Sequence, residues 1–214
     1  APISTHGLHH LDRALSRGKG VIFLTGHFGR FEILLVVLRK MGYALSVLTQ
    51  DISAHNQNLS LAKYHYARAG SKPWWDLGIG QIQFGSYLRP VYRNLARNEM
   101  IMIVMDAQLG APENRSPVKF LGGTMLIHPG FARLALTSGA AIVPFFVYAD
   151  TPYHKIGVIE EPIFPSVQGD QHQEIDALVQ SCASVLEKYV SRYPEQYWGC
   201  SYIDYYWSVD ASSS

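Results

Sequence analysis

The hydrophobic pattern of this chain alternates between two kinds of segment. Short continuous apolar runs, typical of strands buried on both faces, lie at 20–24, 100–105 and 140–148. Between them, apolar side chains recur at helical spacing, as Leu8, Leu11 and Leu15 do. Strands that alternate with helices predict an α/β fold with a mostly parallel central sheet flanked by helices.

The remaining elements follow from the same two patterns. Further strands are expected at 43–48 and 155–159, and 79–85 is ambiguous between strand and loop. The predicted helices span 7–17, 31–40, 58–70, 87–98, 131–138 and 170–193. We therefore expect one domain over 1–210, followed by a disordered tail at 211–214.

Composition excludes several classes of protein. A net charge of +1 does not indicate a nucleic-acid binder, and no apolar run is long enough to span a bilayer. Cys182 and Cys200 form neither a disulfide framework nor a metal site, so we expect a reducing compartment and no bound metal. No signal-peptide pattern opens the chain, which favours a cytoplasmic location.

The most informative segment follows the first apolar run. His27 comes after Gly26 at the end of the predicted strand, and Glu32 lies five residues later in the predicted helix. In α/β folds, ligands bind at the edge of the sheet where strands end. A histidine held by a carboxylate can accept a proton from a hydroxyl or an amine. The alternative is a capping or core histidine with an unrelated surface glutamate.

Other segments offer candidate binding residues, each with an ordinary structural alternative. Asp106 and Gln108 follow a predicted strand and are expected at the same sheet edge as His27, or they are plain turn formers. Gly122 belongs to a predicted tight turn after Phe120. Arg133, early in a helix, is placed to meet an anion, and Arg68 with its basic neighbours is placed to meet a phosphate or an acidic carrier; a solvated helix face is the alternative for both.

Taken together, ordered segments resemble the lipid A late acyltransferase family, within the wider group of His-x4-Asp/Glu glycerolipid-type acyltransferases. The segments are His6-Gly-Leu-His-His-Leu11 with Gly18-Lys-Gly20, His27-Phe-Gly-Arg-Phe-Glu32, Asp106-x-Gln108, Phe120-Leu-Gly122, Pro129–Ala135 through Pro144, and Tyr193-Pro-Glu-Gln-Tyr-Trp198. Their common order along most of the chain is more specific than any single motif.

The resemblance implies transfer of a fatty acyl group from an acyl-carrier-protein or coenzyme A thioester to a hydroxyl, or an amine, of a lipid, glycolipid or small metabolite. By analogy, His27 is the general base and Glu32 fixes its tautomer. The oxyanion would need donors from Arg30, Arg133 or the Gly122 turn, among which the sequence does not choose. Substrate-binding residues are then expected among Arg30, Arg68, Asp106, Gln108, Phe120, Gly122 and Arg133. No cofactor or metal is implied.

The chain also departs from the family pattern. Arg30 stands where the family usually has Asn or a small residue, and the segment after Trp198 lacks the family's basic residues. The family commonly carries an N-terminal membrane helix, so either such a helix precedes this segment or the acceptor is a small metabolite. Peripheral contact with the inner face of a bacterial inner membrane is the alternative to a purely cytoplasmic location. Two functional alternatives stay open: a thioesterase or deacylase that uses the same dyad, and a non-catalytic protein that binds acyl chains.

Overall fold

A computed structural model of the chain describes residues 3–49, 72–85, 88–107, 112–166, 169–201 and 207–209. Its strands are β1 (Ile3–His6), β2 (Val21–Thr25), β3 (Leu45–Thr49), β4 (Gly80–Gln83), β5 (Met100–Val104), β6 (Ser116–Phe120), β7 (Gly123–Ile127), β8 (Ala141–Thr151), β9 (His154–Ile159) and β10 (Trp207–Val209). Its α-helices are α1 (Leu8–Leu15), α2 (Glu32–Lys40), α3 (Arg89–Ala96), α4 (Gly130–Ser138) and α5 (Gln171–Arg192), and a short helical segment lies at 72–76.

The main sheet has seven strands in the order β1-β9-β8-β2-β5-β3-β4. Strands β8, β2, β5, β3 and β4 are mutually parallel, whereas β9 runs antiparallel to β8 and carries β1 alongside it. The predicted α/β class with a mostly parallel sheet is therefore confirmed. The carboxyl ends of the five parallel strands meet at one edge, which we call the carboxyl edge.

Helices cover both faces of this sheet. The buried side chains of α1 and α2, including Leu11 and Leu34, pack with Phe23 on one face. The buried side chains of α3, α4 and α5, including Leu95 and Leu186, pack with Ile22 on the other. Successive residues of β2 thus enter opposite cores, and all five of its residues are buried, which explains the continuous apolar run in the sequence.

Four strands were not predicted from the sequence. The strand β1 pairs with β9, and β6, β7 and β10 form a separate antiparallel sheet in the order β10-β7-β6. Pro117 interrupts the β6 pattern and is tolerated because β6 is an edge strand. The ambiguous segment 79–85 contains β4, while the predicted helix at 58–70 and the tail at 211–214 lie outside the described residues.

Among the described residues, no helix combines the length and the apolar character needed to cross a bilayer.

Candidate active site

The geometry of the main sheet brings His27 and Asp106 together. Strands β2 and β5 are parallel neighbours in which Thr25 pairs with Val104. Each of the two residues follows its strand by two positions, so they lie opposite each other at the carboxyl edge. The prediction that Asp106 shares this edge with His27 is confirmed.

Asp106 accepts hydrogen bonds from both the ring and the backbone of His27. Its Oδ1 lies 2.9 Å from His27 Nδ1, and the His27 backbone N–H donates to Oδ1 at 2.9 Å and Oδ2 at 3.0 Å. The Asp106 side chain is completely buried, while the His27 side chain keeps 31% of its surface exposed. Because the carboxylate accepts from Nδ1, the neutral imidazole carries its proton there and presents the Nε2 lone pair.

The electrostatic environment raises the pKa of His27. Burial by itself disfavours the charged ring and lowers the pKa, but the hydrogen bond to Asp106 and the negative charges of Asp106 and Glu32 outweigh it, so the net shift is upward. The site therefore stabilises the imidazolium that forms when His27 accepts a proton.

The position of Glu32 corrects one expectation from the sequence. The carboxylate on Nδ1 is Asp106, which the sequence assigned to substrate binding, whereas Glu32 acts on the ring through its charge. The Glu32 Oε2 atom is shielded from solvent and has no hydrogen-bond partner among the described residues. The exposed Arg30 side chain places its Nε 3.9 Å from this atom. A shielded carboxylate oxygen without a hydrogen-bond donor is costly.

A sharp turn at Gly29 follows His27. Gly29 has a φ of 56°, in the left-handed region, and a Cβ at this position would collide with the Val147 carbonyl oxygen. The next residue uses that same oxygen, since the Arg30 N–H donates to it at 3.2 Å. Only glycine therefore fits this turn without displacing β8.

The segment Tyr193–Trp198 forms backbone hydrogen bonds with the turn that follows His27. The Trp198 N–H donates to the His27 carbonyl at 2.8 Å, and the Gly29 N–H donates to the Gln196 carbonyl at 2.8 Å. The Gln196 side chain bonds both backbone groups of Ala149, at 2.8 and 2.9 Å. This segment, noted in the sequence only by resemblance, thus ties the His27 loop to β8.

The other predicted site residues have different surroundings. Phe120 is buried, with its ring 6.3 Å from that of Tyr197. Leu121 and Gly122 form the expected tight turn between β6 and β7, with φ of 51° and 72°, and the Leu121 N–H donates to Glu187 at 2.6 Å. Arg133 is exposed on α4. The predicted residues Arg68 and Gln108 lie outside the described part of the chain.

A second histidine–aspartate pair was not predicted. His154 Nδ1 lies 2.9 Å from Asp150 Oδ1, and its Nε2 lies 2.9 Å from Ser4 Oγ. The acid precedes the histidine by four residues, across the turn between β8 and β9, so the spacing found at His27 could not reveal it.

The described residues offer no cluster for a metal ion, and one of the two cysteines is deeply buried. The described residues contain no group of three or more His, Cys, Asp or Glu side chains placed to hold a metal ion. Both cysteines are free, and burial raises the pKa of the Cys182 thiol far above its usual range, which makes it a poor nucleophile.

Fold and site together define an α/β protein with a carboxylate-held histidine at the carboxyl edge of its sheet, a site suited to general-base chemistry. A model of the bacterial lipid A biosynthesis acyltransferase family matches residues 1–199, so the chain belongs to that family. It is 23% identical over 198 residues to a lipid A biosynthesis acyltransferase of Haemophilus influenzae. The match covers 89% of this chain and 55% of that relative, so the chain spans about half of the relative's length.

Proposed function

We propose that this protein is an acyltransferase that moves a fatty acyl group from a thioester donor to a hydroxyl of a lipid A-type acceptor. The observation that carries the proposal is the buried Asp106 carboxylate on Nδ1 of a partly exposed His27 at the carboxyl edge. Membership of the lipid A biosynthesis acyltransferase family supports the reaction class. The donor is an acyl-carrier-protein or coenzyme A thioester, as the resemblance in sequence implies.

In the proposed mechanism, His27 Nε2 takes the proton of the acceptor hydroxyl as its oxygen attacks the thioester carbonyl carbon. The C=O bond opens to an oxyanion, which collapses as the C–S bond breaks, and the departing thiolate takes the proton back from the imidazolium. Asp106 stabilises the transient imidazolium and holds the ring in the required tautomer. No covalent acyl-enzyme is formed, so a single base serves both halves of the reaction.

We assign Glu32 and Arg30 to the rim of this reaction centre. The shielded Glu32 Oε2 is suited to accept from a second polar group of the acceptor. The Arg30 side chain is 61% exposed. Among the described residues, it is the cation that forms an ion pair with Glu32. Arg30 is accordingly the oxyanion donor we favour over Arg133 and the Gly122 turn.

The first experiment measures thiol release and product mass with a panel of acyl thioesters, with and without a bacterial lipid extract. We expect release that depends on the extract and falls by about 10²–10⁴-fold in His27→Ala. His154→Ala is the matched control, because it removes the other aspartate-bound histidine, and it should keep full activity.

The alternatives give different results in the same assay. Thiol release that needs His27 but no acceptor indicates a thioesterase on the same pair of residues. Release that is unchanged in His27→Ala contradicts the general-base role. If acyl chains then still bind to the variant, a non-catalytic acyl-chain-binding protein is the better interpretation.

A further inference from the structure

Three basic side chains converge outside the His27 loop: Arg115, His128 and Arg133, here called the basic cluster. In the β6–β7 hairpin, Ser116 pairs with Ile127, so Arg115 and His128 are cross-strand neighbours one step beyond that pair. Arg133 lies in the first turn of α4, where its N–H donates to the Pro129 carbonyl at 3.0 Å. Two strands and a helix thus bring together groups that are distant from His27 in the sequence.

Within the part of the chain that the structure describes, the two arginines of the basic cluster have no anionic partner. No ion pair among the described residues involves Arg115 or Arg133. The Arg115 Nε atom is shielded from solvent and makes no hydrogen bond within the described part of the chain. A buried guanidinium donor without an acceptor is costly and is usually satisfied by an oxygen ligand.

His128 adds a third donor to the cluster. The Gly130 N–H donates to His128 Nδ1 at 3.1 Å, so the neutral ring carries its proton on Nε2. Burial lowers the pKa of His128, and the nearby charges of Arg133 and Arg115 lower it further, which keeps the ring in this neutral form. Two guanidinium groups and one N–H donor, with no carboxylate among them, favour an oxyanion such as phosphate.

The basic cluster borders the same edge of the sheet as the active site. The His128 ring lies edge-on to Phe84, with centroids 6.3 Å apart, and the Phe84 N–H donates to Thr49 at the end of β3. The strand before Phe84, β4, is three positions from β2 in the sheet. Three strand spacings amount to about 14 Å, so one substrate can reach both places.

We infer that Arg115, His128 and Arg133 bind a phosphate group of a substrate whose reacting atom lies at His27. This inference rests on the proposed function and extends it by naming the chemical group that anchors the substrate. Phosphate occurs in the phosphopantetheine arm of thioester donors and on lipid A-type acceptors. The shared chemistry is a phosphate ester held by paired arginines, and substrate variants distinguish the two sources.

The binding test is independent of turnover because it uses His27→Ala. Inorganic phosphate is titrated at constant ionic strength, and the imidazole resonances of His128, assigned with His128→Gln, report occupancy. We expect a saturable shift, and an affinity about tenfold weaker in Arg115→Gln and in Arg133→Gln. Arg97→Gln is the matched control, since Arg97 is an exposed arginine before β5, at the opposite edge of the sheet. An absent shift, or equal affinities in all variants, overturns the inference.

Kinetics with the active protein then identify the source of the phosphate. An acyl-phosphopantetheine donor is compared with the acyl thioester of N-acetylcysteamine, and a phosphorylated glucosamine lipid with its dephosphorylated form. If the donor is anchored, Arg115→Gln raises KM only for the phosphopantetheine thioester; if the acceptor is anchored, only for the phosphorylated lipid. Equal losses with phosphate-bearing and phosphate-free substrates indicate a structural role and overturn the inference. Loss of all activity in His27→Ala while phosphate binding persists separates this result from the proposed function.

Discussion

Two histidines of this protein make the same bond to an aspartate in different surroundings. His27 and His154 each have Nδ1 2.9 Å from an aspartate oxygen, and their side chains are 31% and 34% exposed. The aspartates differ: Asp106 is completely buried, whereas Asp150 is 39% exposed. Because water screens an exposed carboxylate, the His27 pair is the stronger electrostatic unit.

The two pairs also differ in what holds them. The His27 pair joins the ends of two central parallel strands, and the His27 backbone N–H also donates to the Asp106 carboxylate. The His154 pair spans the single turn between β8 and β9, and the Ser4 hydroxyl is hydrogen-bonded to the second ring nitrogen of His154. Burial and the strands that carry them separate a candidate general base from a surface contact.

The largest expected effect concerns the two aspartates. Asp106→Asn should reduce acyl transfer by about 10²–10⁴-fold, since the amide no longer stabilises the imidazolium and allows the wrong tautomer. Asp150→Asn, the same substitution on the exposed pair, should leave turnover within about twofold, as exposed ion pairs contribute little. Glu32→Gln should fall between them because Glu32 acts on the ring through its charge. Steady-state turnover in the three variants, with folding checked by circular dichroism, gives the order.

This order also decides between the two carboxylates as partners of the base. A Glu32→Gln variant that loses more activity than Asp106→Asn would restore the assignment made from the sequence and contradict the one made here. Equal losses in Asp106→Asn and Asp150→Asn would remove the distinction between the two pairs.

The next effect is on pH dependence. A general base must be neutral, so activity should rise with pH through the raised pKa of His27, with a midpoint above 6.5. Removing the Asp106 charge lowers that pKa, so the midpoint of the residual activity of Asp106→Asn should move to lower pH. Asp150→Asn should leave it in place. The measurement is kcat/KM against pH for the three proteins.

The same shift has a consequence for stability. A raised folded-state pKa means that the folded protein binds the proton more tightly than the unfolded chain does. This contribution is fully present below the unfolded pKa and is lost as pH rises through the folded pKa. Urea unfolding should therefore show a larger gap between wild type and His27→Ala at acidic pH than at alkaline pH. A gap that grows with pH contradicts the assignment.

The last prediction concerns the turn after His27, where we expect the smallest effect on turnover but a measurable loss of thermal stability. Gly29→Ala imposes a left-handed conformation on alanine and a collision with Val147, and should cost at least about 2 kcal/mol. For a chain of this size that lowers Tm by about 4–8 °C. Gly18→Ala is the control, because Gly18 has a φ of 69° with nothing within 4 Å of its added Cβ. Equal Tm losses in the two variants would show that the collision with β8 is relieved.

Much of the fold could be predicted because its strands are short apolar runs. Val21–Thr25 and Met100–Val104 are buried on both faces, so their sequences contain no alternation that could be mistaken for a surface strand. The β6–β7 hairpin was missed because Pro117 breaks its pattern, and β1 because its four residues give too little periodicity.

The site was predicted only in part, because contacts between distant segments leave no local pattern in the sequence. Local order along the chain placed His27 at the end of a strand and Asp106 at the end of another. It also suggested Glu32 as the partner, since Glu32 is nearest in sequence. Arg115 and His128 gave no signal at all, because their proximity depends on the register of a hairpin that the sequence did not reveal.

The sequence by itself determined the α/β class and placed His27 at the edge of the sheet where the parallel strands end. Only the tertiary structure decided which carboxylate holds that histidine, because this depends on β2 and β5 being neighbours with Thr25 opposite Val104. Local hydrophobicity is enough to show which segments form strands. The order of the strands in the sheet depends instead on how the helices between them pack on its two faces. His27 and Asp106 are separated by 79 positions in the sequence and become partners for that reason.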